Sequence, residues 1–414
     1  MFEILFKDPK TIARYRAAVH SGSCERFLED CARQGYSQAM LCKIAWILLT
    51  VAPGIHVDGS ELSLHCLEFS VDHRMQSQPR MGSSDGFRWS RQMFIHITTE
   101  WLRSIGCVVR VPKAGCRFAS ELDAFTRYLR DERGLSLATI ATRRIQLECF
   151  FRQLPAGRDS LHAVTIADVD EFIVDRGHHG WTRTSMVTLA NSLRSFFYYA
   201  QSQDWCLPAI RPAINSPRIY AQEGIPRGPR WEDVQRLLAS AESDRRVDIR
   251  DRAIMVLLSI YGLRRGEVAA LCLDDIDWTN ERILVTRSKS RCQQSYPLVI
   301  EAGEAILRYL REVRPHCAHR ALFLTLAAPW RPLSDTSISA VVRMRLTALG
   351  IILPARGAHC LRHACAGRLL DSGFTLKQIG DHLGHRSANS TLLYAKVDMN
   401  GLRQVAELDL GGVL

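Results

Sequence analysis

Five prolines crowd the stretch between residues 208 and 230: Pro208, Pro212, Pro217, Pro226 and Pro229, with few apolar residues among them. Proline has no N–H to give a helix or a central strand, and its ring locks φ. At this density it enforces an extended path. A chain of 414 residues is also too long for one ordinary core, so two or three domains are expected. Residues 208–230 therefore read as an interdomain linker, and 231–414 as the last domain.

Ahead of the linker, residues 112–207 carry a helical pattern. Phe118, Leu122, Phe125 and Leu129 form one apolar stripe. Gly134-Leu-Ser136 breaks it, and Thr139 to Leu154 continues as a second helix. Thr165 caps a third around Val169 to Val174, and Thr184 leads a fourth that ends in Phe196-Phe-Tyr-Tyr199. These aromatics are read as core.

Residues 1–111 are less legible. Two helices joined at Gly35, with Ser37 as a cap, are followed by a polar loop over Gln76 to Ser90 and a helix from Phe94 to Ile105. Gly35-Tyr-Ser37 echoes Gly134-Leu-Ser136, which fits either a second helical module or generic helix-turn-helix chemistry. After the linker, Asp251 to Tyr261 reads as a buried helix. Ile283 to Thr286 and Tyr296 to Ile300 read as strands, with a third at Ala321 to Thr325. The fold class is mostly α, with an α+β last domain holding a small antiparallel sheet.

A net charge of +11 and a pI near 9.2 make a polyanion a natural partner. Arginine dominates over lysine, which suits bidentate phosphate contacts, although a GC-rich coding bias would do the same. Thirteen cysteines without a repeating spacing read as reduced thiols. The N-terminus lacks the pattern of a signal peptide, and the most apolar run, Ile44 to Val51, is too short to span a bilayer. A soluble, cytoplasmic, nucleoid-associated protein without membrane contact is expected.

Chemistry concentrates between His359 and Tyr394. His359-Cys-Leu-Arg362-His363 opens a helix that Ser372-Gly373 closes. Thr375 caps a short second helix stopped by Gly384, with His385 just beyond. A third helix, opened by Ser387-Ala-Asn-Ser, carries Tyr394. Two imidazoles, a guanidinium and a phenol suit one oxyanion and one nucleophile.

The spacing H-x-L-R-H, L-G-H and T-x-x-Y resembles the C-terminal signature of the tyrosine recombinases, the phage integrase superfamily. Tyr261-Gly-Leu-Arg264-Arg-Gly-Glu267 resembles that family's first-arginine block. The resemblance runs over roughly residues 112 to 400 and implies a site-specific DNA recombinase, an integrase of a mobile element, working through a covalent 3′-phosphotyrosine. Arg264 and Arg362 would clamp the phosphate, His359 and His385 would donate or handle protons, and Tyr394 would attack. Lys289, aligned through Pro297-Leu298, would be the general acid, although Ser288 and Ser290 replace the family's glycines.

Lys289 is also the only lysine between Lys113 and Lys377, which suits a group that must release a proton. Glu267, three residues beyond Arg264, would share its face and orient it. His363 reads as a supporting hydrogen-bonding residue. Residues 112–207 resemble the four-helix, SAM-like core-binding domain, in which Arg143, Arg144 and Arg183 are candidate DNA contacts. Residues 1–111 have no assigned role.

Zinc is disfavoured on spacing: there is no Cys-x-x-Cys, and the 359/363 histidine pair lacks a zinc protease's glutamate. No Gly-Lys-Ser/Thr loop points to ATP, so no cofactor is expected. The implied partners are double-stranded recombination sites, a homo-tetramer on DNA, and accessory or sister recombinases. The apolar stripe Leu402, Val405, Ala406 and Leu408 would dock on a neighbour or fold back. A topoisomerase-like or resolving enzyme without inter-duplex exchange, and a catalytically silent DNA-binding regulator, are the alternatives.

Overall fold

The computed structural model describes residues 1–55, 61–76, 91–110, 117–219, 228–287, 292–354, 356–385, 387 and 389–395. Lys289, residues 77–90 of the expected loop and the stripe from Leu402 to Leu408 lie outside these. The chain forms two compact units, one of Met1–Asp58, Ser70–Cys107 and Gly224–Leu414, the other of Gly59–Phe69 and Val108–Glu223.

The second unit is built on helices Ala119–Asp131, Leu137–Gln153, Ile166–His178 and Arg183–Ser202. Their starts follow from local chemistry. Ser136 Oγ accepts from the Thr139 N–H at 3.3 Å, and Thr165 and Asp168 form a reciprocal capping box. The fourth helix is capped by Thr182 rather than led by Thr184, since the Thr182 hydroxyl accepts from the Ser185 N–H. Phe196 and Phe197 are fully buried, and Phe196 meets Phe125 and Phe151 edge-to-face at 5.3 and 5.2 Å. Phe196 and Phe197 are core and Tyr199 packs against them, whereas Tyr198, expected as core, faces outward with Arg211 over its ring.

In the first unit, helices Ser21–Arg33 and Gln38–Val51 meet at Gly35, whose φ of 87° ends one, while Ser37 Oγ caps the next. Gly134 and Ser136 build the same turn in the other unit, so the sequence echo is a shared local geometry. The Trp330 ring lies directly against Gly35, and the Trp330 N–H donates to Gln34 O at 3.1 Å. Helix Arg91–Ser104 buries Phe94, Ile97, Trp101 and Leu102.

Residues 228–395 of that unit wrap around helix Arg246–Ile260, whose positions from Ala253 to Leu258 are all buried, and form its largest core. Strands Ile276–Asp277, Arg282–Thr286 and Gln293–Pro297 make an antiparallel sheet in that order, with Ile283 opposite Tyr296 and Thr286 opposite Gln293. The sheet differs from the sequence expectation in two ways. Its last strand ends at Pro297, and Val299 caps the helix that starts at Ile300. Ala321 and Leu324 make only isolated bridges, to Cys272 and Pro332, and the third strand is Ile276–Asp277. Among the described residues, no helix is long and apolar enough to cross a membrane.

Candidate active site

Three short helices and one turn bring the site together. Gly262, at φ 59°, turns the chain out of the core helix, and Arg264 stands at the N-cap of helix Arg265–Ala270. The Glu267 carboxylate reaches back to it twice, accepting from the Arg264 N–H at 2.8 Å and from Nη1 at 2.7 Å. Arg264 Nη2 also donates to Gly384 O at 3.3 Å. Glu267 thus orients Arg264, as their spacing of three suggests.

Arg362 sits on helix Ala358–Asp371, only 1% exposed. Its Nη1 donates to Gly262 O at 2.6 Å and its Nη2 to Leu383 O at 2.8 Å. One guanidinium therefore ties the Tyr261–Glu267 block to the Leu383-Gly384-His385 turn, segments about a hundred and about twenty residues away in sequence. Burial, then the neighbouring Arg264, pull its pKa down to about 10.

The turn itself is set by a reciprocal cap between Thr375 and Gln378 at the start of helix Leu376–Leu383, and by Gly384 in the left-handed region at its end. His385 follows, and its Nδ1 is 2.6 Å from Thr391 Oγ1. Burial, then Arg362, Arg264 and Arg287, lower its pKa to about 4, so the ring is neutral at pH 7.

Tyr394 lies on helix Asn389–Ala395 and is 3% exposed. Burial raises its pKa to about 12, against the pull of Arg362. A 2.9 Å hydrogen bond joins its hydroxyl to His363 Nδ1. Burial, then His359 and Arg362, lower the His363 pKa to about 4. His359, exposed at the start of the same helix, packs edge-on against His363 at 4.4 Å. Thr391, which holds His385, also packs against Gly380 so tightly that a Cβ there would fall 2.8 Å from its hydroxyl.

Arg264, Glu267, His359, Arg362, His363, His385 and Tyr394 thus form one connected cluster, while Lys289 lies outside the described residues. The three bundle arginines are elsewhere. Arg144 is held by Asp123 at 2.6 Å and Glu148 at 2.8 Å, Arg143 donates to Ser195 Oγ, and Arg183 is exposed at a helix start. Among the described residues, no three His, Cys, Asp or Glu side chains converge as a metal-ligand set.

Sequence reasoning missed Arg287, Gln294, Tyr296 and His382. Arg287 is 3% exposed; its Nη1 donates to Glu267 Oε2 at 2.8 Å and its Nη2 to Gln294 Oε1, the Tyr296 hydroxyl and His382 O. The signal was present in the strand. With a period of two, Ile283, Val285 and Arg287 share one face, and that face is buried. An arginine pointing into a core requires partners.

The electrostatic consequence is an imbalance. Arg264 and Arg287 share one carboxylate, Glu267, Arg362 bonds carbonyl oxygens, and no other carboxylate reaches the three within ion-pair distance among the described residues. Neutral histidines add N–H donors without adding charge. This is a site prepared for an oxyanion, with a phenol at its edge.

The chain's similarities agree with that chemistry. Residues 230–400 match the phage integrase family, and residues 122–204 match the phage integrase N-terminal SAM-like domain. Two similar proteins come from Sinorhizobium fredii and are named as integrase/recombinases. With y4rA the chain shares 37% identity over 288 residues, 69% of each chain; with y4rF it shares 32% over 422 residues, 98% of this chain and 95% of that one. A solved lambda integrase (residues 75–356) dimer bound to a COC′ core site shares the fold, with a TM-score of 0.53 and 20% identity. That match covers 66% of this chain and 94% of the other. Fold and relatives define a tyrosine-type site-specific recombinase, an enzyme of DNA recombination. The chain belongs to the phage integrase family.

Proposed function

We propose that this recombinase cuts and rejoins duplex DNA through a covalent 3′-phosphotyrosine, with Tyr394 as nucleophile and no metal or nucleotide cofactor. The Tyr394 hydroxyl passes its proton to the neutral His363, whose Nδ1 is 2.9 Å away, and its oxygen bonds to phosphorus as the bond from phosphorus to the 5′ oxygen breaks. Charge builds on the non-bridging oxygens, where Arg264 and Arg362 hold it with fixed, permanently protonated forks. His359 and His385 supply further donors. The departing 5′ oxygen takes its proton from Lys289, whose ammonium can release one as a guanidinium cannot. Rejoining reverses these steps, so phosphodiester energy is conserved.

One observation carries the reading: three guanidiniums set against a single carboxylate beside a buried phenol. The described lambda integrase complex, on a core site, supports duplex DNA as the partner. In this reading residues 112–207 and 231–414 grip DNA from either side of the linker, four protomers act together on two duplexes, and the biological role is movement of a mobile element. Sister recombinases would join the assembly where the element encodes them.

The test uses nicked DNA spanning the junctions that flank this chain's own gene, with EDTA present and products run on a denaturing gel. Protein held covalently to DNA in the wild type, but not in Tyr394→Phe, is the expected result. An adduct in Tyr394→Phe would move the nucleophile elsewhere. No adduct in either, with DNA binding intact, would favour a DNA-binding regulator.

A further inference from the structure

Arg287 belongs to neither motif block, yet it touches both. Its Nη1 holds the Glu267 oxygen that also accepts from the Arg264 N–H, while the other Glu267 oxygen grips the Arg264 guanidinium. On its far side, Nη2 donates to His382 O at 3.1 Å, one helical turn before His385. Gly384 lies over it so closely that a Cβ there would fall 2.5 Å from Nε. That position is also left-handed, with φ 62°. Gln294, which accepts from both Nε and Nη2 of Arg287, donates to Asp381 O at 2.9 Å. The hairpin strand is thereby stitched to the end of helix Leu376–Leu383 at two adjacent carbonyls.

We propose that Arg287 is a positioning residue of the recombinase, holding Arg264 and the Leu383-Gly384-His385 turn at a fixed separation through Glu267 and the His382 carbonyl. This rests on the function proposed above. Without Arg287, Glu267 is a buried carboxylate with one partner instead of two, and the turn loses its brace. Arg264 then keeps its charge but not its aim. Arg287 is 3% exposed and each of its three guanidinium nitrogens has an acceptor within the protein, so it makes no contact with DNA in this assignment.

The general acid is a separate matter, because Arg287 stands two residues before Lys289 in the sequence. A substrate with a 5′-thiol leaving group needs no acid and separates the two effects. In single-turnover cleavage, Arg287→Met should be about 100-fold slower on the ordinary and the 5′-thiol substrate alike, the loss typical of an ångström-scale misplacement. Affinity for the same DNA should stay within about two-fold, because the phosphate contacts that dominate binding are untouched. The double variant Arg287→Met, Glu267→Gln removes the stranded charge. It should recover thermal stability and leave cleavage slow.

Near-normal cleavage by Arg287→Met would overturn the proposal. So would rescue on the 5′-thiol substrate, which would assign Arg287 to the acid, or recovery of rate together with stability in the double variant, which would make its role charge neutralisation alone. Should Arg287→Met not fold, Arg287→Lys takes its place. It keeps the charge but cannot span Glu267, Gln294 and His382 O at once, and the same outcomes apply. A wild type that forms no covalent adduct would instead overturn the function itself, so the two failures are distinguishable.

Discussion

Two arginine networks lie in the same catalytic unit, and they differ in one respect. Around helix Arg246–Ile260, Arg345 donates to Asp248 at 2.6 Å and to Asp251 at 2.9 Å, and Arg250 holds Asp251 at 2.8 Å. Two close guanidiniums, and the exposed Arg245 at 3.9 Å from Asp248, face two carboxylates there. Burial opposes the Arg345 charge, but its bonds to Asp248 and Asp251 prevail and raise its pKa. Burial likewise opposes the Asp248 charge, and Ser243 and Arg345 prevail to lower it. In the candidate active site the sign is reversed: burial, then Arg264, lower the Arg362 pKa to about 10. One network holds two carboxylates among its guanidiniums, while the other holds one, Glu267. Uncompensated positive charge, not the presence of buried arginine, distinguishes a binding site from a structural brace.

The sharpest way to test that contrast is to remove chemistry from the open network without altering its charge. Tyr394→Phe should lose covalent adduct by more than about a thousand-fold while binding DNA normally, since a phenyl ring cannot attack phosphorus. Unchanged adduct would end the assignment.

Changing the forks comes next. Arg264→Lys should slow cleavage about 100- to 1,000-fold, the scale of losing a fixed oxyanion donor, with little change in melting temperature. Arg345→Met should behave oppositely. It takes one partner from each of two buried carboxylates, which Arg250 and Ser243 still hold, and should destabilise by about 1.5–3 kcal/mol, while the folded fraction cleaves at the wild-type rate. If both variants changed the same observable, the distinction between the networks would fail.

A third comparison concerns the acid. Lys289→Ala should cleave slowly on ordinary DNA and recover on a 5′-thiol substrate, whereas Arg264→Lys should recover on neither. Absence of recovery in Lys289→Ala would remove the acid role.

The smallest effect is on pH dependence. His363 and His385 have folded pKa values lowered to about 4, against an ordinary 6.5 in the unfolded chain. Between these values the unfolded chain binds more protons, so stability rises with pH. The contribution is complete above about 6.5 and is lost as pH falls towards 4. Inorganic phosphate, by binding among the guanidiniums, should raise both folded pKa values and flatten this slope in the wild type. In Arg264→Lys the flattening should weaken, and in Arg345→Met it should persist. Denaturation midpoints at pH 5 and 7, with and without phosphate, measure it.

Much of the fold was legible because its signals are local. Ser37, Ser136, Thr165 and Thr375 start helices through hydrogen bonds to neighbours three residues on. Gly35, Gly134 and Gly384 stop or turn them through a conformation that other residues resist. The Arg264–Glu267 pair was legible for the same reason, being closed within one helical turn. The expected strand at Ala321 to Thr325 failed because a β-rich run makes a strand only where an edge is open to pair with it.

By itself the sequence determined the short-range geometry and the residue types: which helices form, where they end, and that a guanidinium, imidazoles and a phenol stand on or beside three consecutive ones. Only the tertiary structure decided their joint electrostatics. Arg362 bonds carbonyls from two distant segments, His363 meets Tyr394 across 31 residues, and Arg287 braces a turn 95 residues away. Charge balance and desolvation depend on everything nearby in space, whatever its separation along the chain, so they cannot be summed until the chain has folded.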